Sequence, residues 1–188
     1  DQFFYGQHDA HWIERGPDKG NIMVFNNGLG RPQGNFSSID ILEPVMNLQG
    51  VYQLDTTGAF LPNDLLREVT ANPPSSVIAP FVSGAQEQAN GNILMCDGPS
   101  GRLLEFMPND SIAWEYIMPV NISGPAQQGN NLMGSNLLFR AYRYAEDYTG
   151  LIGQDLTPTV PIELNPYPSL CQILFRERQL QPSIYRRN

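Results

Sequence analysis

A strand unit that occurs twice constrains this 188-residue chain more than any other feature. Asn21-Ile22-Met23-Val24-Phe25-Asn26-Asn27-Gly28 returns about 71 residues later as Asn92-Ile93-Leu94-Met95-Cys96-Asp97-Gly98. Each copy is followed by a second run of alternating apolar residues, Ser38-Ile39-Asp40-Ile41-Leu42-Glu43-Pro44 and Arg102-Leu103-Leu104-Glu105-Phe106-Met107-Pro108. A third run comes after each, Val51-Tyr52-Gln53-Leu54 and Ile112-Ala113-Trp114-Glu115-Tyr116. Alternation puts every second side chain on one face, as a half-buried strand requires. Self-similar sets of short strands joined by Gly, Asn, Asp and Pro turns point to a β-propeller or a related array. The expected fold is all-β: a propeller segment of about two and a half blades over residues 1–150, then an extended, irregular tail over 151–188. Antiparallel strands are expected at 21–27, 38–43, 92–97, 102–107 and 111–117. Two sets leave open sheet edges, so an upstream segment or another chain is expected to supply the missing blades.

Between the strands, Asn90-Gly91 reads as a two-residue hairpin turn, and Pro108-Asn109-Asp110 as the next hairpin. Leu61-Pro62-Asn63-Asp64 can start a short helix that Asn72-Pro73-Pro74 stops. Residues 136–144, which carry Arg140 and Arg143, read as a strand or short helix. The tail holds Pro158, Pro161, Pro166 and Pro168 and little periodicity. Its Tyr167, Leu170, Ile173 and Phe175 are expected to be buried against the propeller or a partner chain.

A net charge of −8 with a single lysine, Lys19, argues against a nucleic-acid backbone or an anionic membrane as partner. No apolar run approaches the roughly 18 residues of a membrane span. The two cysteines, Cys96 and Cys171, allow one disulfide or two free thiols. Glycosylation sequons occur at Asn35, Asn109 and Asn121.

Chemistry can rest on few side chains. The histidines are His8 and His11, flanking Asp9 and preceding Trp12. In a regular strand, positions three apart face opposite sides, so the two imidazoles share a metal only if the strand bulges; no metal site is read. One catalytic histidine with a nearby arginine is the functional reading, and a polar strand end capping a turn is the plain one. Asn26-Asn27-Gly28-Leu29-Gly30-Arg31-Pro32 lacks the nucleotide-loop spacing and no helix follows it. It either aims the Arg31 guanidinium at a sulfate or phosphate, or is a turn with an exposed arginine. No calcium loop or nucleophile elbow is present, and no cofactor is expected.

Over residues 5–155 the chain resembles the bacterial-type arylsulfotransferases, a six-bladed propeller family. The resemblance is carried by Gln7-His8-Asp9-Ala10, by Ile22 to Gly28 running into Gly30-Arg31, and by Gly84-Ala85-Gln86. It continues through Asn90 to Gly98, Gly101 to Phe106, Ile112 to Tyr116 and Phe139 to Tyr144. It implies an exported protein, periplasmic or extracellular, that moves a sulfuryl group between phenolic compounds through a covalent sulfohistidine, with no nucleotide donor. It implies catalytic roles for His8 and His11 and substrate binding by Arg31, Asn27 and Arg140, with His8 and Arg31 approaching each other. No histidine follows His11, and Gln86 and Gln88 stand where a later-blade histidine is expected. A non-catalytic propeller, serving as scaffold or as subunit of an extracellular assembly, is the alternative.

Overall fold

The computed structural model describes residues 2–130, 132 and 134–166. Among these the chain is all-β, with single 3-10 turns at Pro74–Ser76 and Thr149–Leu151 and no α-helix. Strands β1 (His8–Trp12), β2 (Ile22–Asn26), β3 (Ser38–Leu42) and β4 (Arg67–Thr70) form one antiparallel meander in the order β1-β2-β3-β4. Strands β5 (Gly84–Glu87), β6 (Ile93–Asp97), β7 (Arg102–Phe106) and β8 (Ile112–Ile117) form a second, in the order β5-β6-β7-β8. A two-stranded ribbon, β9 (Val120–Asn121) with β10 (Gly124–Pro125), comes next.

All five expected strands are present and antiparallel. Their inner faces meet in one apolar cluster: Met23 and Phe25 of β2, Ile39 and Ile41 of β3 and Val69 of β4, with Ala85, Ile93, Met95, Leu104 and Phe106 of the second sheet. Core-facing positions of the repeat therefore correspond at an offset of 70, Met23 to Ile93 and Phe25 to Met95, because a one-residue slip would move every side chain to the other face.

Three expectations are corrected. The strand beside β3 is β4, with Ser38 opposite Thr70 and Ile41 opposite Arg67. Residues 51–54 lie in an excursion closed by bridges Met46–Tyr52 and Leu54–Phe60. That excursion satisfies itself: Asn47 Oδ1 accepts from the Gln49 and Val51 amides, and Asp55 Oδ1 from those of Thr57 and Ala59. Its Val51 and Leu54 stay exposed while Val69 is fully buried, so burial rather than local alternation selects the strand. No helix starts at Leu61. The chain there leads into β4, and the Leu66 amide donates to the Ile41 carbonyl. The β5–β6 hairpin has three loop residues, Ala89-Asn90-Gly91, closed by Gln88 N–H to Asn92 O and Gly91 N–H to Gln88 O, with Gly91 at φ +82°. A type I turn followed by a left-handed residue fits the strand twist. The β7–β8 hairpin repeats this geometry over Pro108-Asn109-Asp110, with Asp110 at φ +62°.

Cys96 is fully buried on β6, and burial, then Asp97 and Asp9, push its thiol up to about 12. Cys171 lies outside the described residues, as do Tyr167, Leu170, Ile173 and Phe175.

The two sheets approach closely where β5 begins. A Cβ added at Gly84 would lie 2.2 Å from Asp9 Oδ2 of β1. Gly84→Ala is expected to cost about 1–3 kcal/mol, the range for forcing extra volume into a packed site, read as a lowered urea midpoint at unchanged slope. An unchanged midpoint would show that the approach is looser than described.

Candidate functional site

The site starts from a break in β1. His8 pairs with Phe25 and His11 with Met23, so three residue steps on β1 match two on β2. The extra residue is a bulge, and Asp9 takes φ +52°, a left-handed conformation that Asp tolerates better than most residues. Phe25 and Met23 share one face of β2, so the bulge sets both histidines opposite residues of the same face. Their rings nonetheless have separate anchors. Among the described residues, no group of three or more His, Cys, Asp or Glu side chains could hold a metal ion.

The bulge drives the Asp9 carboxylate, only 4% exposed, into the second sheet. Oδ2 accepts from the Ala85 amide of β5 at 3.2 Å. Oδ1 accepts from Arg140 Nη1 and from the Tyr142 hydroxyl, each at 2.8 Å. Residues 136–144, expected as a strand or helix, form neither; they run as an irregular strap fastened to both sheets. Leu138 N–H donates to Gly98 O and Ser83 N–H to Phe139 O. Arg143 N–H donates to Gln86 Oε1, and its guanidinium pairs with Glu105 and lies 5.4 Å from the Trp114 ring centre. The backbone spends its hydrogen bonds on partners at irregular spacing, which rules out a ladder.

Beyond Asp9 the strap delivers tyrosines to a cleft of about 470 Å³. His11 and Trp12 line one side, Tyr142, Tyr144 and Tyr148 another, and Ile13, Glu14, Arg15, Gln86 and Glu87 complete it. Tyr142 meets the His11 ring edge-on, with centroids 6.4 Å apart, and Tyr144 lies 4.5 Å from Tyr148. His11 Nδ1 is 2.7 Å from the Asp9 carbonyl oxygen. A carbonyl only accepts, so Nδ1 carries the proton and, in the neutral ring, Nε2 carries the lone pair.

His8 is fixed the same way by different atoms. Asn27, 1% exposed, donates its amide to Ala79 O at 2.6 Å and Val82 O at 3.1 Å, which turns Oδ1 toward His8 Nδ1 at 2.7 Å. Nδ1 is again the donor and Nε2 the free nitrogen. Asn27 thus lies beside His8, and Arg140 lies beside His11 through Asp9 and Tyr142. Arg31 has other partners. Its guanidinium, 7% exposed, pairs with Glu68 at 2.7 Å, donates to Ser38 Oγ and lies 4.3 Å from the Phe36 ring centre. Ser38 in turn donates to the buried Asp40, whose carboxyl burial pushes up. His8 bonds to Gly6 and Asn27, so His8 and Arg31 share no hydrogen-bond partner.

Sequence reasoning did not reach Asp9, Arg15, Glu87 or the three tyrosines. Glu87 follows Ala85 by two positions and so continues the face that Ala85 gives to the core. It is 2% exposed, and among the described residues its carboxylate receives only the Asp18 amide, at 3.2 and 3.4 Å. Burial, with Asp18 nearby, pushes its carboxyl up to about 7. The one signal available was the Gly16 turn: a Cβ at Gly16 would lie 2.6 Å from Glu87 Cδ.

The raised Glu87 value makes folding pH-dependent. Between the ordinary 4.5 and about 7 the folded chain binds more protons than the unfolded one, so stability falls as pH rises through that window. Glu87→Gln keeps an acceptor for Asp18 and removes the charge. It is expected to match the parent below about pH 4.5 and exceed it above about pH 7 by on the order of 1–3 kcal/mol. Urea unfolding at both pH values measures this. A variant less stable at high pH would contradict the assignment.

Comparison with protein-family models, with curated proteins and with solved structures returns no match.

Proposed function

We propose that the two sheets are adjacent blades of a propeller, and that the chain transfers sulfuryl groups between phenolic compounds through a histidine, in the manner of the arylsulfotransferases. One observation carries the reading. His11 is anchored through Nδ1, leaving Nε2 as the nucleophilic nitrogen, on the wall of a cleft that the aromatic faces of Trp12, Tyr142, Tyr144 and Tyr148 also line. An aryl ring stacks favourably on such surfaces. Nε2 attacks the sulfur of an aryl sulfate, the S–O bond breaks and the phenol leaves. A second phenol then takes the sulfuryl group from the imidazole. Arg15 lines the same cleft and makes no ion pair with any described residue, so its charge is available to the sulfate oxygens as the transition state develops. The reading carries with it export to the periplasm or beyond the cell, and further blades from elsewhere.

The scaffold alternative has its own support. Edge strand β8 exposes Ile112, Trp114 and Ile117, and the 43–66 excursion exposes Leu48 and Phe60, surfaces suited to a neighbouring subunit.

Transfer from 4-nitrophenyl sulfate to phenol separates the two. His11→Ala is expected to abolish it, and Arg15→Ala to slow it by about 10²–10³-fold, the loss of one charge-stabilising donor. Mass spectrometry of donor-loaded protein should find the sulfuryl group on His11. A protein inert toward aryl sulfates favours the scaffold, and a group found on His8 moves the chemistry to the Asn27-anchored ring.

A further inference from the structure

We propose that Glu87 moves the hydroxyl proton of the phenol in the cleft, as a further catalytic residue of the reaction; the proposal rests on the function just argued. Glu87 lines the same cleft as His11. It is buried at the rim of the core, where a carboxylate with a structural role is ordinarily paired with a cation. Among the described residues it forms no ion pair, and its hydrogen-bond donor is the Asp18 backbone. A buried acid without a cation, facing a cleft, suits proton transfer better than stabilisation. The groups around it are accounted for. Glu14, Arg15 and Asp18 come from the β1–β2 loop, Arg67 from β4 and His11 from β1; Tyr142 and Tyr144 come from the strap, and Tyr148 from the turn just after it. Burial disfavours the charged form most; the Asp18 amide and Arg67 favour it and the Asp18 carboxylate disfavours it, leaving a carboxyl that changes state near pH 7.

The proton balance closes. As the imidazole is loaded, the donor's S–O bond breaks, an N–S bond forms at His11 Nε2, and the Glu87 carboxyl protonates the departing phenolic oxygen. As it is unloaded, the acceptor's O–H bond breaks and the Glu87 carboxylate takes that proton. The phenolic oxygen bonds to sulfur, and the electron pair of the N–S bond returns to the imidazole.

The test compares Glu87→Gln with the parent protein, using 4-nitrophenyl sulfate as donor and either phenol or pentafluorophenol, an acidic phenol already ionised over nearly all of the range, as acceptor across about pH 5–9. Phenol needs a base to give up its proton and pentafluorophenolate does not, so the variant is expected to lose about 100-fold with phenol and far less with pentafluorophenol. The parent's inflection near pH 7 with phenol should vanish in the variant. Equal losses with both acceptors, or an inflection kept in the variant, would overturn the role. If the variant does not fold, the parent's own profiles decide: an inflection with phenol that is absent with pentafluorophenol supports the role, and identical profiles overturn it. If the parent transfers nothing, sulfuryl transfer has failed and binding decides the role of Glu87 alone. The affinity for pentafluorophenol, measured by equilibrium dialysis, should then show a step near pH 7 that Glu87→Gln removes. The same step in both proteins overturns the assignment.

Discussion

The structure around the cleft depends on the Asp9 carboxylate. Three groups from two parts of the chain converge on it: the Ala85 amide of the second sheet, and the Arg140 guanidinium and Tyr142 hydroxyl of the strap. The apolar faces hold the sheets together more strongly, since each fully buried side chain contributes about 1.5–3 kcal/mol against about 1 kcal/mol net for a typical hydrogen bond. But apolar contact is non-directional. The directional bonds fix how β5 meets β1 and where the tyrosines stand. Removing the carboxylate would leave a buried amide without its acceptor, and an amide in that state costs more than the bond contributed.

Two acidic side chains in this region carry opposite tasks because their surroundings differ. Asp9 has a cation and two further donors, and it organises the site. Glu87 has one backbone donor and burial, and its carboxyl sits near 7. Environments that separate two carboxyls in this way are how one site can hold a fixed charge beside a proton carrier. Two histidines anchored through Nδ1, one to a backbone carbonyl and one to a buried amide, show the same economy: each anchor fixes the tautomer as well as the position of its ring.

What was legible in the sequence was whatever repeats with period two. Met23/Phe25, Ile39/Ile41, Ile93/Met95 and Leu104/Phe106 declare their strands because alternate residues enter the core. β4 was hidden, since Arg67-Glu68-Val69-Thr70 offers one apolar side chain, whereas the better-patterned 51–54 never reaches the core. The histidines stood out by their rarity, but the bulge that sets them opposite one face did not, because nothing in His8-Asp9-Ala10-His11 announces an extra residue. The strap was illegible for a related reason. Its bonds to Gly98, Ser83, Asp9, Gln86 and Glu105 have no period, so the aromatic wall of the cleft is a tertiary product. Arg31 shows the converse: a glycine-rich turn suggested an outward guanidinium, and Glu68 and Ser38, distant in sequence or inconspicuous in it, hold it instead.

Hydrogen–deuterium exchange of the parent chain and of Asp9→Ala tests the central claim most directly. If the Asp9 carboxylate fixes the meeting of the sheets and the strap, the variant should lose protection at the Ala85 amide and at the strap amides of Leu138 and Arg143, while Phe25, Ile39 and Met95 in the core keep theirs. Protection at Ala85 and along the strap that is equal in the two proteins would contradict the account. It would mean that apolar packing alone places the cleft.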